Sequence, residues 1–349
     1  MFRGGTDAHA RRIGAWPARP VPSERERAGF RTEIRTALNL AYVAVILLAN
    51  VVLFLALPLW LPPKTGWWAL LALPLALTAV THWGLIHEAV HGVLHPDRRV
   101  NRLLGHVLSI AFLCPYNILR FGHLCHHALN GRPSDRPELY DPARRRPGLC
   151  RAWYYYRLFF GLYGGELFCV LLCYVPRQRL RRITRHLAYG DNPDSLQMPD
   201  IAERQLTDPR PLLLLRLEAT AILLLLGGGL ALYGAWFPLL LAALVVRGTL
   251  ISFLDNAPHY SMPLGDIRQG HDLRLSPVLR WLVMNGNFHG THHRHPTLPW
   301  TLWPTRFRDD GASFAGGYFR HPLRQLRGPI ALQQLESAVG APVSAATGA

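Results

Sequence analysis

Long apolar runs broken by short polar stretches organise the chain. Runs at 37–61, 67–86, 212–233 and 235–253 carry very few charges. At about 1.5 Å rise per residue, each reaches across a hydrocarbon core of roughly 30 Å. Four such runs predict an all-α integral membrane protein with four transmembrane helices. Two further apolar stretches, 103–119 and 158–175, match the shortest spans in length, but arginines bracket both: Arg102 and Arg120 around the first, Arg157 and the Arg177–Arg185 run around the second. The positive-inside bias then puts both ends of each on one side. Interfacial or re-entrant helices are expected there, with a tight double crossing as the alternative for the second.

The link between the first two runs, Pro62 to Gly66, holds Lys64, the single lysine of the protein, and Trp60, Trp67 and Trp68 flank it as an aromatic belt would. That link is expected outside. Arg98, Arg99 and Arg102 follow the second run, and the uncharged turn near Tyr233–Phe237 returns the chain to Asp255, so the N- and C-termini and all histidine-rich segments are expected to be cytoplasmic. Three regions follow: an arginine-rich cytoplasmic tail at 1–36 with no secretory-signal pattern, a membrane domain at 37–327, and a disordered tail at 328–349 rich in Ala, Gly, Ser, Pro and Val. The formal net charge of +16 comes almost wholly from arginine flanking apolar runs. It reads as topology and attraction to anionic lipid, with no nucleic-acid partner. The five cysteines lack a CxxC pair, which argues against a disulfide framework and a thiolate zinc site.

Candidate chemistry lies in three histidine clusters: His87-Glu-Ala-Val-His91, His123-Leu-Cys-His126-His127 and His289-Gly-Thr-His292-His293. Residues three or four apart share a helix face, so each cluster presents two or three imidazoles toward one point. A set this large exceeds the needs of one tetrahedral zinc and implies two metals, with iron the best candidate for O2 chemistry at a lipid face. His82, His95, His106, His186, His271, His295 and His321 fall outside the clusters and read as structural, although His95 continues the first stripe by one turn. Taken alone, His87-Glu88-Ala-Val-His91 is also HExxH, the signature of a zinc protease. That reading leaves both HxxHH clusters without a use. A metal transporter would want its ligands at mid-membrane.

The order HxxxH, HxxHH, HxxHH, the spans between them, and the segment from Asn287 to Pro304, with Pro296, Pro299, Trp300 and Pro304 after the third cluster, resemble the membrane fatty acid desaturase family over about residues 40–310. The resemblance implies a non-haem di-iron, O2-dependent oxidase acting on a fatty acyl or similar lipid chain, most simply a fatty acid desaturase. A hydroxylase, a carotenoid ketolase and a fatty-acid decarboxylase share the histidine pattern. The resemblance further implies two Fe held by His87, His91, His123, His126, His127, His289, His292 and His293, with His259 as an extra ligand. It also implies an external electron donor of the ferredoxin or cytochrome b5 type. Where related enzymes pair the extra histidine with an asparagine four residues earlier, this chain has Asp255, with Asn256 beside it. Asp255 is therefore expected to act at the metals, directly or through water, with a turn residue as the alternative. Two ionisable residues inside apolar runs, Glu218 and Arg247, lie at similar depth and are expected either to pair or to leave Arg247 snorkelling.

Overall fold

A computed structural model describes residues 32–61, 66–143, 146–187 and 198–335. The tail at 1–31, Lys64 and the residues after 335 lie outside the described residues. The chain is mostly helical. Helix α1 runs Thr36–Trp60 and α2 runs Ala69–His91. In α1 the turn before Pro58 widens into a π-helix at Val52–Ala56, which accommodates a residue with no N–H to donate and a ring that crowds the preceding carbonyl. Helix α3, Arg98–Phe112, is capped by Asp97, whose carboxylate accepts from the Arg99 and Val100 amides at 2.7 and 2.9 Å. Helix α4, Tyr116–Leu129, leaves α3 at a bend of 101°.

Next come α5 (Pro147–Tyr156), α6 (Leu162–Leu172), α7 (Arg177–Leu187) and α8 (Met198–Thr207). Helices α9 (Pro209–Tyr233) and α10 (Phe237–Asp255) complete the apolar bundle. Three short helices, α11 (Pro277–Leu282), α12 (His289–Arg294) and α13 (Trp303–Asp309), form a cap with two parallel two-residue ladders. The ladders join β1 (Leu139–Tyr140) to β4 (Ile330–Ala331) and β2 (Leu273–Arg274) to β3 (Gly316–Gly317). Residues 328–335, expected to begin the disordered tail, thus include a strand paired to β1.

Among the described residues three stretches are long and apolar enough to cross a membrane: Thr36–Trp60, Ala69–His91 and Pro209–Asp255; the bent pair α3–α4 makes a fourth if counted as one span. Straight, the 47-residue third stretch would measure about 70 Å, twice a bilayer core. It is not straight. Gly234, at φ 50° and ψ −120°, opens a 3-10 turn to Trp236, in a region of backbone space that admits little but glycine. A Cβ on Gly229 would lie 3.3 Å from the Leu240 side chain, so α9 and α10 lie against one another.

Inside this bundle the ionisable groups take partners other than the expected ones. The Glu218 carboxylate meets Nδ1 of His106 on α3. Arg247 donates to Oδ1 of Asn50 at 3.0 Å and to Nδ1 of His82 at 3.3 Å, while His82 donates through Nε2 to the Leu108 carbonyl. The expected Glu218–Arg247 pair is therefore replaced by two separate networks, because similar depth does not give two helices the same facing azimuth. Both groups are almost fully buried, at 3% and 1% exposure, where a polar partner is required to offset desolvation. The cysteines form no disulfide.

Candidate metal centre

Nine histidines converge where α2, α4 and α12 meet, and they divide into two groups. His87, His91, His123, His127 and His292 form one; His126, His259, His289 and His293 form the other, with all ligand atoms inside each group within 4.8 Å of one another. Helix periodicity explains the division. His87 and His91 occupy successive turns of α2, as His123 and His127 do on α4, while His126 sits one residue off the latter stripe and faces the second group. On α12, His292 points to the first group and His289 and His293, again one turn apart, to the second. His259 comes from the turn after α10, where the Asn256 carbonyl accepts from the amides of His259 and Tyr260 at 3.0 and 2.9 Å.

The Nε2 atoms do the converging. In the first group, Nε2···Nε2 separations are 3.0 Å for His87–His292, 2.9 Å for His91–His123, 3.0 Å for His123–His127 and 2.9 Å for His127–His292. In the second they are 2.8 Å for His259–His289, 3.2 Å for His126–His293 and 3.0 Å for His289–His293. Two imidazole nitrogens bound at right angles to one ion, each about 2.1 Å from it, stand about 3.0 Å apart. The donor set therefore fits an ion in each group, and five plus four imidazoles is more than one tetrahedral zinc uses.

Neutral imidazole is the form that ligates. Burial first, and the charge that neighbouring histidines would carry second, hold His259, His289, His292 and His293 well below the ordinary imidazole range. At pH 7 these four keep lone pairs free for a metal.

The supporting shell uses carboxylates. Nδ1 of His126 donates to Oδ2 of Asp135 at 2.7 Å, which leaves the Nε2 lone pair aimed into the second group. Glu88 Oε2 accepts from the Trp300 amide at 3.1 Å, and Oε1 stands 3.6 Å from His87 Nδ1. The glutamate of the HExxH pattern thus backs a histidine and braces the Trp300 segment. Asp272 caps α12 from outside: Oδ1 accepts from the Thr291 amide at 2.8 Å, and Oδ2 meets the Thr291 hydroxyl at 3.2 Å and Arg294 at 3.1 Å. The backbone at Gly270 runs so close to α12 that no side chain fits at Gly290, where a Cβ would lie 2.1 Å from the Gly270 carbonyl oxygen. Glu138 receives Asn256 Nδ2 at 3.2 Å and Arg136 Nε at 2.8 Å, anchoring the turn that carries His259. Asp135, Asp272 and Glu138 carry no spacing signal in the sequence; only the Pro133-Ser-Asp135 turn after the second cluster hints at the first of them.

Asp255 belongs to neither group. It ends α10 and lines a cavity of about 120 Å³ beside His126 and His289. The same cavity reaches His87, His123 and His292, and its other walls include Val80, Trp83, Ile251, Leu254 and Met284. Asn256, one residue on, turns to Glu138. Among the remaining histidines, His95 accepts from the Asp97 amide, His295 pairs with Asp310 at 2.9 Å, and His271 lies against His321 with ring centroids 4.6 Å apart. Of these four only His271 faces the cavity.

A family model described as fatty acid desaturase matches residues 65–321. No curated protein matches the chain.

Proposed function

The chain belongs to the fatty acid desaturase family, whose model spans well over half its length, and from that premise we propose that it is an O2-dependent di-iron oxidase of a fatty acyl or similar lipid chain, most simply a desaturase. The observation that carries this reading is the division of nine imidazoles into groups of five and four around one cavity. His87, His91, His123, His127 and His292 would hold one iron, and His126, His259, His289 and His293 the other. Bound there, the two irons would supply the activation of O2 that removal of hydrogen from an unactivated chain requires.

The protein's own groups do the rest. Val80, Trp83, Ile251, Leu254 and Met284 give the cavity an apolar wall, which orients a hydrocarbon and excludes water. Asp135 fixes the ring of His126 through its hydrogen bond to Nδ1, and Glu88 places a carboxylate 3.6 Å from Nδ1 of His87. Asp255, on the cavity wall at the four-histidine group, would hold a proton or a water there. Four crossings, with both histidine groups on the cytoplasmic side, fit the arginine distribution and the folded pair α9–α10. Membership of this family implies that the electrons would come from an external partner of the ferredoxin or cytochrome b5 type.

A zinc protease would present the HExxH glutamate to the metal, whereas Glu88 is engaged by the Trp300 amide. The test is lipid profiling of a host expressing the wild-type chain or a His292→Ala variant, with and without O2. New double bonds that require both O2 and His292 are expected. A hydroxyl, ketone or shortened hydrocarbon would move the assignment to another oxidase of the same superfamily, and no O2-dependent product would overturn it.

A further inference from the structure

The region 255–327 reads as cytoplasmic from its polarity, yet one part of it reaches down beside the membrane helices. The Trp281 carbonyl accepts from the Tyr42 hydroxyl of α1 at 3.1 Å, and the Leu282 carbonyl accepts from the Thr81 hydroxyl of α2. Thr81 precedes His87 by six residues, so Leu282 sits about 9 Å deeper along α2 than the first histidine of the metal centre. The chain then reverses at Met284 and Asn285, both in the left-handed region at φ 48° and 55°, and climbs back to His289.

The composition of the dipping segment suits that depth. Val278, Leu282 and Trp281 are exposed at 76%, 60% and 45%. Its single charge is turned away: Arg280 lies over the Phe288 ring at 5.1 Å and donates to the Leu275 carbonyl. The exposed face is continuous with that of the spans, since Tyr42 shares a helix face with exposed Val45, and Thr81 shares one with exposed Leu77. Three large apolar side chains exposed within five residues on a water-facing cap would be an unusual concentration next to a span. At the edge of the hydrocarbon it is the expected composition, with a tryptophan at interfacial depth.

We propose that the segment Pro277–Leu282 is seated in the bilayer, its Val278 and Leu282 side chains in contact with lipid acyl chains. The residues directly after it, Val283 and Met284, line the cavity, and Met284 packs so closely on α2 that a Cβ at Gly84 would lie 2.9 Å from its Sδ. One short segment therefore touches lipid with one end and the apolar wall of the metal-centre cavity with the other. The ligand class this fits is a chain drawn from the bilayer.

The proposal rests on the membrane reading of α1 and α2 and is independent of the metal chemistry. It is tested by spin-labelling Val278→Cys and Leu282→Cys in liposomes, in a Cys169→Ser background because the other four cysteines are buried. Val45→Cys serves as the lipid-facing reference and Ser313→Cys, exposed on the cap, as the aqueous one. The ratio of oxygen to nickel-chelate accessibility at 278 and 282 is expected within about threefold of that at 45 and roughly tenfold above that at 313. A ratio equal to that at 313 would overturn the seating, and a nickel-accessible label at 45 would overturn the membrane reading beneath it. As a second measurement, Val278→Glu with Leu282→Glu is expected to lower the unfolding temperature in nanodiscs by roughly 5 °C or more; an unchanged temperature would contradict the seating.

Discussion

The two histidine groups are built differently. The five-histidine group draws on regular helix at every position: two turns of α2, two turns of α4 and one residue of α12. The four-histidine group depends on a turn for His259, on the short capped helix α12 for His289 and His293, and on Asp135 to hold His126. It also has Asp255 on the adjoining cavity wall. The comparison teaches that four of the five imidazoles of one group come as i, i+4 pairs on two long helices, whereas the other takes only His126 from a long helix and the rest from a turn and a short helix that carboxylates hold in place. The second gathers four imidazoles against five in the first.

Four predictions sharpen that contrast. The largest effect is expected from ligand removal: His292→Ala and His126→Ala should each lower activity by more than about 100-fold, with membrane insertion unchanged. Full iron content in either variant, measured by elemental analysis, would remove that residue from the ligand set. Next in size is Asp135→Asn, expected to weaken metal retention at the four-histidine group by roughly 10-fold to 100-fold while the five-histidine group keeps its ion. Equal loss from both groups would show that the two are not independently supported.

A smaller effect belongs to Asp255. Asp255→Ala should lose most of the turnover and Asp255→Asn should retain part of it, both with iron kept. Wild-type turnover in both variants would reduce Asp255 to a helix-end residue. The smallest effect is on stability against pH. His259, His289, His292 and His293 have imidazoles held below their ordinary range by burial, so the unfolded chain binds more protons than the fold does. Their contribution is whole above about pH 6.5 and lost as pH falls toward the depressed values. Metal-free protein should therefore unfold at a lower temperature at pH 5 than at pH 7, and a flat profile would contradict the burial argument.

Much of the five-histidine group was legible because its signal is local. The i, i+4 pairs His87–His91 and His123–His127 need only a helix to share a face, and the apolar runs around them predict helices. His259 was reachable only through the family resemblance, since a lone histidine in a Pro-containing turn carries no period. Asp135, Asp272 and Glu138 were not legible, because each acts on a residue whose nearness is set by the packing of separate elements. Glu218 and Arg247 show the same limit from the other side. Their depth can be counted along the helices, but the azimuth that gives Glu218 to His106 and Arg247 to Asn50 and His82 depends on how α9 and α10 pack. The expectation of an interfacial or re-entrant element between Arg102 and Arg120 corresponds in place to the α3–α4 pair, whose bend of 101° the sequence did not specify.

Metal content of the purified chain beside His292→Ala and His259→Ala, one variant from each histidine group, addresses the division into two ion sites most directly. Two irons in the wild type and about one in each variant is the expected result. A single zinc in the wild type, or a loss of metal confined to His292→Ala, would contradict it.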